Sequence, residues 1–295
     1  MEVEKGASPF TIRNYHFYLR RFANWYANMS LSMDIRKLDL ELVRKYRLFL
    51  SRYQDKNGRT LSRITQNYHV IALRSLLKWL IRHDYEVLAP DKIELPKAKS
   101  QSLKFLGRAE VERLLSQPLL SKRQGLRDKA ILEMLFSTGL RVSELVALNR
   151  DQIDIDQREF GVVGKGGRAR VVFLSKRAAS WISRYLASRT DHWKPLFIRF
   201  AQGKADPASE GEEMRLTVRS VQRIVEHYCR QAHLPVQITP HGLRHSFATD
   251  LLSAGAGLRE VQEMLGHKNI ATTQIYTHVT NPQLRKVHEM FHGKS

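Results

Sequence analysis

Three stretches within the first hundred residues repeat their apolar side chains every three or four positions, and that spacing commits this part of the chain to helices. In "TIRNYHFYLRRFANWYANM" the stripe is Tyr15, Leu19, Phe22 and Tyr26; in "TQNYHVIALRSLLKWLIRHDY" it is Val70, Leu73, Leu77 and Leu80. "DLELVRKYRLFLSRYQ" carries the same pattern, and "DKNGR" at Asp55–Arg59 reads as a turn. A small bundle of roughly four helices is the expectation. Arg13, Arg20, Arg44, Arg47, Arg63 and Arg74 lie off the apolar stripes, where they could meet phosphates; each taken singly is also what a solvated helix face looks like.

The period stops between Ala89 and Leu103. "APDKIELPKAKSQSL" holds two prolines, three lysines and no helical repeat, so it is expected to link a helical domain, 1–88, to a second domain, 104–295. The second domain opens with helical runs ("GRAEVERLLSQ", "LRDKAILEMLFSTGL", "VSELVALNRDQ"). It then switches to β-branched, alternating residues around a glycine turn, "IDIDQREFGVVGKGGRARVVFLS". "PLFIRF" reads as a further short strand, and "TVRSVQRIVEHYCRQAHL" as a helix with Thr217 as N-cap. The class is mainly α with a small antiparallel β-sheet in the second domain.

Charge narrows the partners. The 295 residues hold 49 Lys and Arg against 29 Asp and Glu, a net charge of +20, and the isoelectric point is about 10.2. Residues 1–100 carry 19 basic and 10 acidic groups and the remainder 30 and 19, so both halves are basic. A polyanion touching both, nucleic acid above all, is the partner this implies. One cysteine, Cys229, excludes an internal disulfide and disfavours a structural zinc site. No apolar run approaches the ~20 residues of a membrane span, and "MEVEKGASPF" does not read as a secretory signal. A reducing cytoplasm is the expected location.

Several short motifs carry chemistry. In "TPHGLRHSFATDLLSAG", Thr239 is placed as N-cap with Pro240 at the first helical position, so His241 and Arg244 share a face of the first turn. An imidazole beside a guanidinium at a positive helix end suits an anion. His245 follows His241 by four, but the zinc-protease pattern wants Glu where Gly242 stands, so no metal is expected. "STGLRVSELVALN" breaks at Gly139 and restarts at Arg141, with Glu144 three residues on and able to hold its fork. "GVVGKGGRARVV" sets Lys165 in a glycine turn between strands, with Arg168 close by as a further DNA contact. Gly166 after the lysine and a strand after the turn rule out a phosphate-cradling P-loop. In "EVQEMLGHKNIATTQIYTHV", Leu258, Val261, Met264 and Leu265 are expected to face inward and Gly266 to cap the helix. His267 is then the first residue beyond it, with Tyr276 further on.

Arg141, Lys165, His241, Arg244, His267 and Tyr276, in that order and within "TGLRVSEL", "GKGGRAR", "PHGLRHSFAT" and "LGHKNIATTQIYTH", resemble the active-site boxes of the tyrosine recombinase (phage integrase) family. The resemblance is closest to its Xer branch and extends to the helical front, which is similar to that family's core-binding domain.

These residues suit the cleavage of a phosphodiester without metal or other cofactor. Arg141 and Arg244 can clamp the non-bridging oxygens. Tyr276, whose phenol has a free pKa of about 10, is the nucleophile, and His241 is the nearest candidate base. The resemblance implies that Lys165 protonates the leaving 5′-oxygen and that His267 donates to the phosphate. The product is a 3′-phosphotyrosyl linkage. Strand exchange then demands two DNA duplexes, and the resemblance implies that each is a short, partly palindromic site and that four protomers act, either identical or paired with a related recombinase. Leu284, Val287 and Phe291 form an apolar stripe on a short helix, about 282–293, which the resemblance implies docks on a neighbouring protomer; packing on its own domain is the alternative. A relaxing enzyme of the type IB topoisomerase kind, or a non-catalytic DNA-binding protein on the same fold, would share much of this sequence. A cytoplasmic, nucleoid-associated protein is the expectation.

Overall fold

The computed structural model describes residues 6–29, 34–96, 104–164, 167, 169–200 and 207–266. The chain divides into two units, Met1–Gln101 and Ser102–Ser295.

Three α-helices build the first unit: α1 (Pro9–Met29), α2 (Leu40–Arg52) and α3 (Arg63–Ile81). Two of them start on side-chain caps, where Asp39 accepts from the Leu42 N–H at 2.7 Å and Ser62 from the Thr65 N–H at 3.2 Å. Phe22, Trp25, Tyr26, Val43, Tyr46, Leu50, Val70, Leu73 and Leu77 close the core. The expected fourth helix is not found among the described residues; two single-turn 3₁₀ segments, Ile35–Lys37 and Pro90–Lys92, occupy the connections. Residues 89–96, expected as linker, instead pack on this unit, with Pro90 and Ile93 buried and Leu95 against the core. The segment runs extended after its 3₁₀ turn, so its apolar residues lack the helical period, yet they bury surface all the same. Residues 97–103 lie outside the described residues.

The second unit is organised around α5 (Arg123–Thr138), on which Ala130, Ile131, Leu132, Met134 and Leu135 are fully buried. The helix is enclosed on most sides although half of its residues are polar, so its buried charges need partners. Its buried charges are paired within the helix: Arg127 with Asp128 at 2.7 Å and Lys129 with Glu133 at 2.8 Å. Around it lie α4 (Arg108–Leu115), α6 (Val142–Ala147), α7 (Lys176–Ala187), α8 (Val218–Gln231) and α9 (Pro240–Ser253). Strands β1 (Glu159–Val163) and β2 (Ala169–Phe173) pair antiparallel, with Phe160 opposite Val172 and Val162 opposite Arg170. α10 (Leu258–Leu265) packs on α9 through Val261, Leu265, Ala248 and Leu252.

Two local expectations change. "PLFIRF" is no strand: Leu196, Phe197 and Ile198 are consecutively buried, and the segment makes only isolated bridges, Asn149 to Pro195 and Ile198 to Arg215. Met264 is 39% exposed, so α10 turns in through Val261 and Leu265 rather than through Met264. Thr217 caps α8 by accepting from the Ser220 N–H at 3.1 Å, whereas Thr239 occupies the N-cap of α9 without a side-chain cap bond.

Candidate active site

Two helices end in left-handed glycines, and both ends meet the same arginine. α5 stops at Gly139 (φ +59°) and α10 at Gly266 (φ +63°). Only glycine adopts this backbone cheaply. At Gly139 the restriction is double, because an added Cβ would also collide with the Phe247 ring. A helix C-terminus leaves carbonyls without intrahelical partners and carries partial negative charge. Arg244, only 1% exposed, donates to the Gly139 carbonyl at 2.6 Å and to the Leu265 carbonyl at 2.6 Å. One guanidinium thereby ties the end of α5 to the end of α10.

Arg141 begins α6 two residues beyond Gly139. Its backbone N–H donates to Glu144 Oε2 at 2.9 Å, the reciprocal bond of an N-terminal capping box. Its guanidinium donates to Glu144 Oε1 at 2.8 Å and, more weakly, to the Gly266 carbonyl at 3.4 Å. Glu144 thus holds Arg141 as expected. The carboxylate has a second partner that sequence reading missed: Arg170 on β2 donates to Oε1 at 3.0 Å and to Oε2 at 2.8 Å, and its Nε donates to the Met264 carbonyl at 3.2 Å. Burial alone would raise the Glu144 pKa; the bonds from Arg170 and Arg141 outweigh it and hold the group down to about 2. Glu144 is therefore a permanent anion at neutral pH.

His241 opens α9. Its ring meets the His245 ring edge-on at 4.2 Å between centroids. Surrounding protein, then the Arg244 and Arg141 cations, lower its pKa below the ordinary value of 6.5, so it is neutral at pH 7. Among the described residues no third His, Cys, Asp or Glu joins the two histidines in a cluster that could hold a metal. Residues far apart in sequence thereby come together: Arg141 and Arg244 on the last carbonyls of α10, Glu144 on Arg141, and His241 within electrostatic reach of both arginines. Lys165, Arg168, His267, Tyr276 and the segment 282–293 lie outside the described residues.

The candidate DNA contacts of the first unit do not converge in the same way. Arg13, Arg20, Arg44 and Arg63 are exposed, Arg13 resting over the Phe10 ring at 5.2 Å. Arg74 is instead paired with Asp91 at 3.2 Å, and Arg47 donates to the Glu94 carbonyl at 3.1 Å. Both hold residues 91–94 against the bundle, which is why they stand off the apolar stripe.

Comparison with known proteins identifies the family. Residues 104–282 match the model of the phage integrase family, and residues 1–84 match that of the phage integrase N-terminal SAM-like domain. The tyrosine recombinase XerD of Haemophilus influenzae is 34% identical over 99% of this chain and 95% of its own, and the tyrosine recombinase XerC of Pelobacter propionicus is 36% identical over 100% and 93%. The fold is that of the XerH site-specific recombinase solved on a palindromic difH substrate, with a TM-score of 0.73 at 23% identity over 98% of this chain and 82% of that one. The chain belongs to the phage integrase family, among the tyrosine recombinases.

Proposed function

We propose that this protein cleaves and rejoins DNA at a specific site through Tyr276, exchanging strands between two duplexes. The observation that carries the reading is the meeting of Arg141 and Arg244 on the end of α10, one residue before His267, with neutral His241 close enough to feel both cations. In the reaction the Tyr276 oxygen attacks phosphorus and the P–O5′ bond breaks. The tyrosine proton passes to His241, and Lys165 protonates the departing 5′-oxygen. Arg141 and Arg244 take the charge growing on the non-bridging oxygens, and His267 adds a hydrogen bond. The phosphodiester persists as a 3′-phosphotyrosine, so rejoining by a 5′-hydroxyl needs no nucleotide.

Strand exchange between two sites calls for four protomers, and the segment 282–293 suits contact between them. A palindromic substrate, as in the XerH complex, fits such an assembly here. Among the described residues no helix is long and apolar enough to cross a membrane, and a cytoplasmic, nucleoid-associated location suits the substrate.

Covalent trapping on a library of fragments from the host genome tests the reading and recovers the site. Wild type should form a protein–DNA adduct on a nicked duplex carrying that site, and Tyr276→Phe should form none. A plasmid with two sites should yield recombinants. Relaxation without recombinants would point to a topoisomerase, and no adduct from wild type to a non-catalytic binding protein.

A further inference from the structure

Three consecutive carbonyls at the end of α10, those of Met264, Leu265 and Gly266, each receive an arginine: Arg170, Arg244 and Arg141 respectively. Two of these arginines belong to the proposed catalytic set. The third does not, and its position is unusual. Arg170 shares the inward face of β2 with buried Val172, opposite Val162, where an apolar side chain would ordinarily stand. Its side chain is only 11% exposed and that of Glu144 only 5%. A guanidinium so enclosed is tolerated because each of its nitrogens has a fixed acceptor.

We propose that Arg170 is a positioning residue for DNA cleavage, a strut that locks Glu144, and through it Arg141, to the helix end from which His267 and Tyr276 follow. The inference rests on the active-site reading above. Arg170 grips both oxygens of Glu144, so the carboxylate cannot rotate away when Arg141 turns its remaining donors to a phosphate. Its Nε fixes the Met264 carbonyl, and an added Cβ on Gly266 would come within 3.1 Å of its Cδ, so the chain leaves α10 against this side chain. The same strand leads back to the Lys165 turn, five residues upstream. One side chain thereby couples the hairpin of the proposed acid, the support of one phosphate clamp and the exit toward the nucleophile. Arg141 reaches the same helix end only through a 3.4 Å bond, readily exchanged for a ligand; the Arg170 fork, at 2.8 and 3.0 Å, is the part that stays.

The test compares wild type, Arg170→Gln, Arg170→Lys, Glu144→Gln and the Arg170→Gln/Glu144→Gln double variant. DNA affinity and single-turnover adduct formation are measured on the nicked duplex recovered by trapping, and thermal melting and hydrogen exchange on the free protein. Arg170→Gln is expected to bind DNA within about threefold of wild type yet form adduct about 100-fold more slowly, the scale of a small misplacement of reacting groups. Arg170→Lys, which keeps the charge but cannot fork, should fall between them. The double variant should be no slower than Arg170→Gln, because both changes break one linkage. In the free protein, peptides covering 141–147 and 258–266 should exchange faster in Arg170→Gln while the rest of the chain is unchanged. Adduct formation by Arg170→Lys at the wild-type rate would overturn the proposal, as would additive losses in the double variant or unaltered exchange in those peptides. Should Arg170→Gln fail to fold, Arg170→Lys and the exchange of its peptides decide alone. Failure of wild type itself to form adduct would overturn the active-site reading, and the exchange data would still report on the strut.

Discussion

In the helical unit Arg13, Arg20, Arg44 and Arg63 stand exposed, spread over all three helices. In the second unit Arg127, Arg189 and Arg244 are 8%, 8% and 1% exposed, and each donates to backbone carbonyls. The same residue type serves two purposes. An exposed guanidinium supplies charge at long range, is screened by salt and costs little to lose. A buried one has given up its water and stays only because its partners are fixed, so it arrives at a phosphate already aimed. Binding strength and chemistry should therefore separate along the chain.

The largest expected break comes from Arg244→Ala. Cleavage should fall by about 10²–10³, the usual cost of one transition-state donor. Stability should fall by about 1–3 kcal/mol, because two carbonyls lose their guanidinium. Adduct kinetics and denaturant unfolding measure the two losses, and an Arg244→Ala protein that cleaves within tenfold of wild type would remove Arg244 from the clamp.

Next in size is the opposite case. Changing Arg13, Arg20, Arg44 and Arg63 together to Gln should leave stability within about 0.5 kcal/mol per site and leave the cleavage rate of bound DNA unaltered. Affinity should fall, and the slope of log affinity against log salt should flatten by about 0.9 for each phosphate contact removed. A full salt slope in the quadruple variant would show that these arginines face solvent rather than DNA.

How much of this contrast was legible in the sequence differs by element. The stripes of α1 and α3, the glycine ends of α5 and α10 and the Arg141–Glu144 pair were readable because each is a local pattern a few residues long. Arg170 does not stand out within "GKGGRARVV", because its partners lie 26 and 94 residues away. A signal existed: in the alternation of β2 it falls on the inward face, and an arginine at a core position requires a buried acceptor. The pairing of Arg74 with Asp91 is not legible, because helical period separates inward from outward but not solvent from a neighbouring turn. Ile93 was hidden for a related reason, since an extended segment that docks on a bundle has no period to reveal it.

A smaller effect concerns His241. Crowding by protein and the cations of Arg244 and Arg141 favour its neutral form, so its pKa lies below 6.5. The base is thus present at pH 7 and persists as the pH falls through 6.5; it is lost only on crossing the lowered value. Titrating the His241 ring by NMR in the free protein should place the midpoint below 6.5, and Arg141→Gln should move it upward by removing one cation. A midpoint that ignores Arg141→Gln would mean the two groups are not electrically coupled.

The smallest effect sharpens the comparison most, because one substitution should have opposite signs in the two units. Tyr46 packs its ring 5.0 Å from both Phe22 and Trp25 in the first core, and its buried hydroxyl has no hydrogen-bond partner among the described residues. Tyr228 in the second unit donates its hydroxyl to Asp128 Oδ2 at 3.0 Å, inside the Arg127 pair that supports α5. Asp128 is buried enough for its pKa to rise despite Arg127, so each bond it accepts matters to its charged form. Tyr46→Phe should therefore be neutral or stabilising by up to about 1 kcal/mol, since it deletes a desolvated hydroxyl and keeps the ring. Tyr228→Phe should cost about 1–3 kcal/mol, since it leaves a buried carboxylate one donor short. Denaturant unfolding of the two single variants measures both. Equal losses would mean that the Tyr46 hydroxyl is satisfied by ordered water, and that the aromatic core of the first unit tolerates polarity no worse than the paired core of the second.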